Sequence, residues 1–150
     1  MAECKNIMVY VETAEGNPVK VGLEMLSPAK KLADKVTAVV IGGGVADAAK
    51  EVAKAGADQV ICVDSEDYKE FNLDAYAQVL VELVKEENPE AVFVGGTQDG
   101  KDIAPVVAAK CNTGCASDVL DIKAEDGEVI YTCPLYGGTV LEDVKIKTTP

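Results

Sequence analysis

Ala91-Val92-Phe93-Val94-Gly95-Gly96 runs four apolar residues straight into two glycines, and Ala38-Val39-Val40-Ile41-Gly42-Gly43 repeats the pattern earlier in the chain. Each reads as a short buried strand ending in a tight turn. Outward from these two stretches the chain alternates. Residues 6–11 form a first apolar strand, closed by the polar loop Glu12-Thr13-Ala14-Glu15-Gly16-Asn17-Pro18. Val19, Gly22, Leu23, Leu26, Ala29 and Ala33 then recur every three or four residues, the spacing of one helix face, with a lysine-rich last turn of Lys30, Lys31 and Lys35. Pro28 either kinks this helix or opens a new segment behind a Ser27 cap. A strand over 36–41 leads to a helix with Val45, Ala48, Ala49, Val52 and Ala55 on one face, closed by Gly56. After a third strand over 59–63, Asn72 caps a helix whose stripe is Leu73, Tyr76, Ala77, Leu80, Leu83 and Val84, and Asn88-Pro89 stops it. The strand over 91–94 is the fourth, and a helix follows from about Lys101 to Lys110. Nearly all-apolar strands separated by helices predict a parallel sheet covered on both faces, an α/β three-layer sandwich.

The last third changes character. Residues 117–124 and 128–133 flank Glu125-Asp126-Gly127, a hairpin signal, and residues 139–147 supply a further strand after Pro134-Leu135-Tyr136-Gly137-Gly138. These strands are expected to run antiparallel and to extend the edge of the parallel sheet. The 150 residues thus read as a single domain, with the parallel part over about 1–112 and the antiparallel strands over 113–150.

Composition removes several functions. All 14 basic residues are Lys, His is absent, and 26 acids set the net charge at −12. Such a chain repels phosphate backbones, so nucleic acid is not an expected partner. Without His, the Ser-His-Asp and Cys-His systems and imidazole-bound zinc are closed to it, so any catalysis would have to rest on carboxylates, Lys, Cys or a cofactor, and no metal site is expected. The five cysteines (Cys4, Cys62, Cys111, Cys115 and Cys133) are odd in number and scattered, which suits a reducing compartment and the role of small buried hydrophobes. No apolar run reaches the ~20 residues of a membrane span, and Met1-Ala2-Glu3-Cys4-Lys5 lacks the apolar core of a signal peptide, so a cytoplasmic protein without membrane insertion is expected.

One candidate site remains. In open α/β sheets ligands bind at the carboxyl ends of strands, where glycines let a phosphate approach the backbone. Glu12, Thr13, Gly95, Gly96 and Thr97 would form such a nucleotide loop. Against it, Glu12, Glu15, Asp99 and Asp102 face a single Lys101, and neither G-x-G-x-x-G nor G-x-x-x-x-G-K-[ST] is present. The glycines are then expected to serve the strand-to-helix turn alone. The adjacent acids Glu66-Asp67, Glu86-Glu87 and Glu142-Asp143 diverge in any regular element and are expected to be solvated.

The ordered blocks Val9-Tyr10-Val11-Glu12, Leu32-Ala33-Asp34, Val39-Val40-Ile41-Gly42, Gly56-Ala57-Asp58, Val94-Gly95-Gly96-Thr97, Gly100-Lys101-Asp102-Ile103-Ala104-Pro105, Thr113-Gly114, Ser117-Asp118 and Tyr136-Gly137-Gly138 resemble the N-terminal domain of electron transfer flavoprotein alpha subunits over nearly the whole chain. The resemblance implies a fold related to the adenine-nucleotide alpha-hydrolase and universal stress proteins. It further implies a non-catalytic domain that scaffolds a heterodimer with a beta subunit, carrying electrons from dehydrogenases through FAD. That FAD is implied to sit in a C-terminal domain, so no cofactor is expected within this chain. Lys101 and Val106 stand where the family commonly has Arg, and Thr149 replaces the Arg before the final Pro. Lys keeps the charge and loses the bidentate fork. A small nucleotide-binding module of universal-stress type is the alternative. A flavodoxin-like carrier, on the strength of Thr13-Ala14-Glu15-Gly16-Asn17, ranks below both.

Overall fold

A computed structural model describes residues 4–150; Met1-Ala2-Glu3, part of the leader reading above, lie outside the described residues. Four strands make the central parallel sheet: β1 (Cys4–Tyr10), β4 (Ala33–Gly42), β5 (Gln59–Asp64) and β6 (Ala91–Val94), in the order β5-β4-β1-β6. Between β1 and α1 (Lys20–Leu32) lies a two-residue-per-arm hairpin, β2 (Thr13–Ala14) with β3 (Asn17–Pro18), turned by Glu15 at φ 51° and Gly16 at φ 78°. The helices α2 (Ala46–Lys54) and α3 (Leu73–Glu87) complete the crossovers, and α4 (Gln98–Lys110) follows β6.

The pleat of β1 divides the interior. Ile7, Val9 and Val11 face a cluster with Leu26, Ala29, Val36, Val40 and Val52, while Met8 and Tyr10 face one with Leu80, Val84, Ile103 and Val107. One strand thus feeds the layers on both sides of the sheet, which is why its sequence is apolar without alternation. Asn6 is the buried exception and is satisfied in place: it accepts from Thr37 Oγ1 at 3.1 Å and donates to the Glu87 carbonyl at 3.2 Å.

Local chemistry explains most boundaries. Asn72 Oδ1 accepts from Ala75 N at 3.0 Å to start α3, and Asn88 ends it in the left-handed region at φ 48°. Asp126 and Gly127, at φ 54° and 78°, make the hairpin turn that the Asp-Gly pair predicts. Pro28 lies inside α1 without ending it, and the strand after α1 begins at Ala33, so Lys35 belongs to β4 and not to the helix's last turn. There its ammonium meets Glu87 Oε2 at 3.0 Å, and Glu87 Oε1 accepts from Gln59. Glu87 therefore ties β4, β5 and α3 together where a solvated acid was expected.

The expected extension of the sheet edge is corrected. β7 (Asp121–Glu125), β8 (Glu128–Leu135) and β9 (Val140–Val144) form a separate antiparallel sheet, and among the described residues β6 pairs only with β1. The reason is amphipathy. Ile122, Ala124, Val129 and Tyr131 on one face pack, with Leu23 and Met25 of α1, against the core cluster that holds Leu26 and Ala29. The opposite face carries Ile130 together with Lys123 and Thr132, both of which bond the Asp143 carboxylate. A strand inside a sheet covered on both sides would have to bury those polar groups.

The cysteine expectation also needs correction. Cys4 and Cys133 are buried, but Cys62 and Cys115 are exposed and Cys111 is half-buried. Cys62 sits on β5, an edge strand of the parallel sheet, at one of its two exposed positions. Burial still pushes the Cys62, Cys111, Cys115 and Cys133 thiols up, which keeps them protonated and weakly nucleophilic.

Asp58 gives the fold a pH-sensitive joint. Its carboxylate accepts from Lys30 Nζ at 2.5 Å and from Val36 N at 2.7 Å, joining α1 to β4, and these bonds hold its pKa below the usual value. A carboxyl whose pKa falls on folding stabilises above its unfolded pKa, about 3.9, and that contribution disappears as pH drops through the folded value. Urea midpoints for Asp58→Asn are expected to vary less with pH below about 4 than those of the parent.

Candidate functional site

The chain leaves β1 through α1 toward β4 on one side and leaves β6 through α4 on the other, so the crossovers diverge between β1 and β6. This is the switch point at which α/β sheets bind ligands. The crevice there is built by the loops after Tyr10 and Val94. Thr97 is the key to the second loop, for its Oγ1 accepts from Gly100 N at 2.9 Å and so caps α4. That cap starts the helix at Gln98, three residues before the expected Lys101, and a Thr-x-x-Gly cap was open to recognition in the sequence.

The same hydroxyl donates to Glu12 Oε1 at 2.5 Å. Glu12 therefore reaches across from β1 to the amino end of α4, where a ligand's phosphate would dock. A β-carbon on Gly100 would lie 3.0 Å from Glu12 Oε1 and 1.9 Å from the Gly95 carbonyl oxygen. Gly100 is thus glycine because the turn leaves no volume for anything else. Gly95 is crowded by Val21, whose Cγ1 would stand 2.8 Å from an added β-carbon, whereas Gly96 has open space. Thr13 belongs to the other side of the crevice, with its Oγ1 next to Gly42. Of the five residues singled out, the fold brings Glu12 and Thr97 into contact, sets Gly95 behind them, and leaves Gly96 and Thr13 apart. Lys101 is not at the crevice but pairs with Asp118 at 2.8 Å.

A cavity of about 330 Å³ opens beside Glu12, over the carboxyl ends of β1 and β4. Its lining includes Tyr10, Glu12, Glu15, Phe71, Tyr76 and Asp99. Phe71 and Tyr76 meet edge to face at 5.1 Å, and the Tyr76 hydroxyl donates to the Tyr68 carbonyl at 2.5 Å. Burial raises the Glu12 carboxyl above the usual carboxylate range, with the Asp99 charge adding to it and the Thr97 hydroxyl opposing. Burial likewise pushes the Tyr10 phenol well above its ordinary value, helped by Glu12, Tyr76 and Asp99, so it stays a neutral hydroxyl. Sequence reasoning passed over Tyr10, Phe71 and Tyr76. Tyr10 was legible as the polar tip of an apolar strand, but the two α3-side rings reach the site only through tertiary packing.

FAD, the cofactor that the resemblance implies, does not fit this crevice. The position for its pyrophosphate is held by the Glu12 carboxylate, the rim adds Glu15 and Asp99, and the volume is at the low end of the roughly 300–1,000 Å³ of ligand pockets.

A second feature lies at the far end of the antiparallel sheet. Leu135, Tyr136, Val140 and Leu141 are 38%, 84%, 46% and 60% exposed at the β8–β9 tip. Register pairs Leu135 with Val140 and Pro134 with Leu141, and Tyr136, Gly137 and Gly138 all adopt positive φ in the turn between them. The backbone thus holds four large apolar side chains out at one end of an acidic molecule.

Comparison with known proteins places the chain in a family. Residues 7–150 match the profile of the electron transfer flavoprotein domain. The electron transfer flavoprotein subunit alpha of Clostridium acetobutylicum is 36% identical over 149 residues, covering 95% of this chain and 44% of its own length. That of Syntrophomonas wolfei is 38% identical over 142 residues, covering 95% of this chain and 45% of its own. The acryloyl-CoA reductase electron transfer subunit beta of Anaerotignum propionicum is 38% identical over 168 residues, covering 93% and 46%. The chain spans somewhat less than half the length of these curated relatives. With a family match over nearly all its residues, the chain belongs to the electron transfer flavoprotein family.

Proposed function

We propose that these 150 residues act as one non-catalytic scaffold domain of a cytoplasmic electron transfer flavoprotein alpha subunit, docking a beta subunit while FAD is held elsewhere in the complex. The apolar tip carries this reading. Four large exposed apolar side chains on a chain of net charge −12 suit a partner that offers an apolar surface with a basic rim. A second copy of the same chain would bring its own −12 to that contact. Electron donation by dehydrogenases would then depend on the assembled complex and its flavin, with no residue of this chain serving as acid, base or nucleophile.

Neither the crevice geometry nor the names of the relatives favours the small nucleotide-binding module. The purified chain, incubated with excess FAD and passed through gel filtration, is expected to elute colourless. A stoichiometric flavin band eluting with it would overturn the scaffold reading. Bound AMP or ATP in calorimetry would support the nucleotide module instead.

A further inference from the structure

Tyr10 is 2% exposed, and its hydroxyl has no hydrogen-bond partner among the described residues. No fully buried side-chain nitrogen or oxygen among the described residues is left without a partner. The small accessible remainder of Tyr10 therefore includes its hydroxyl oxygen, and Tyr10 lines the cavity over the carboxyl ends of β1 and β4. An otherwise buried polar group that opens into a cavity unpaired is an invitation to a ligand, since it forgoes a hydrogen bond that the rest of the interior makes.

The surroundings define which ligand. Three acids, Glu12, Glu15 and Asp99, line the cavity against one lysine. That lysine, Lys69, has its ammonium paired with Glu66 at 3.6 Å. Anions are disfavoured because Glu12 already occupies the amino end of α4. Metal ions are disfavoured because no group of three ligating side chains is close enough together among the described residues. The rings of Phe71 and Tyr76 add aromatic surface of the kind that attracts a cation.

We propose that this cavity binds a small organic amine as its ammonium ion, with the Tyr10 hydroxyl oxygen and the Glu12 and Asp99 carboxylates as acceptors and Phe71 and Tyr76 as the apolar wall. Glu12 keeps one oxygen on Thr97 and turns the other to the ammonium. The cavity and the apolar tip share no residue, the tip lying on the separate antiparallel sheet.

Phenethylamine is the probe, its uncharged isostere phenethyl alcohol the control, and calorimetry of the whole chain at about 0.15 M salt the measurement, so that weak surface attraction is screened. Phenethylamine is expected to bind saturably at one site, and phenethyl alcohol at least about tenfold more weakly. Tyr10→Phe, which keeps the ring, is expected to weaken the amine about three- to tenfold, and Glu12→Gln, which keeps an acceptor for Thr97, at least about tenfold. Thermal melts confirm that both variants are folded. The proposal fails if the amine shows no saturable binding, if the alcohol binds as tightly, or if both folded variants bind the amine like the parent.

Discussion

Replacing Gly100 by alanine is expected to cost about 3 kcal/mol or more of folding stability. The ordinary expectation has the opposite sign, because alanine in a helix is favoured over glycine by about 1 kcal/mol. Gly100 sits in the first turn of α4, yet its β-carbon would stand 1.9 Å from the Gly95 carbonyl oxygen. The obstacle is backbone, and it cannot rotate away as a side chain would. Relief requires α4 to withdraw from β6, which breaks the Gly100 N–H bond to Thr97 and pulls Thr97 off Glu12. Against a total stability of roughly 5–15 kcal/mol this is a large fraction. Urea unfolding should show a lower midpoint with an unchanged slope. A Gly100→Ala protein as stable as the parent would mean that the turn is looser than described.

The second large effect concerns the tip of the antiparallel sheet. Tyr136→Ser combined with Leu141→Ser is expected to weaken association with an electron transfer flavoprotein beta subunit by about 30-fold or more. This corresponds to the ~2 kcal/mol of an interface hot spot. Tyr136 is 84% exposed and Leu141 60%, so neither supports the core, and the melting temperature of the free chain should hardly move. Serine is also short and polar enough to suit position 136, where φ is 50°. Loss of binding without loss of stability separates a docking surface from a structural one, and surface plasmon resonance with a melt on the same sample reads both.

How far the sequence carried depends on what each feature needed. The parallel strands were legible because a strand covered on both faces must be apolar throughout, and the runs at 36–41 and 91–94 are. α3 was legible because its stripe and its Asn72 and Asn88 caps act within a few residues of one another. The start of α4 was misplaced because the polar run after Val94 hides a cap whose meaning lies in the Thr97 hydroxyl. The tail strands were seen, but their placement was not, since alternation along β7 and β8 says that one face is buried without saying against what. Cys62 looked buried because Val60-Ile61-Cys62-Val63 resembles a central strand; only the sheet order makes β5 an edge. At the crevice, the sequence supplied acids that argue against phosphate, and the fold turned one of them, Glu12, into the group that fills the phosphate position. The Tyr10 hydroxyl and the rings of Phe71 and Tyr76 meet there across more than sixty residues, a juxtaposition no local pattern encodes.

Sedimentation velocity of the chain with and without an electron transfer flavoprotein beta subunit, recorded in the protein band and in the visible flavin band, tests the scaffold most directly. The chain alone should sediment as a 15.7 kDa monomer without flavin absorbance and shift into a one-to-one complex when the beta subunit is added. Flavin absorbance travelling with the chain alone, or a boundary that the beta subunit leaves unmoved, would contradict it.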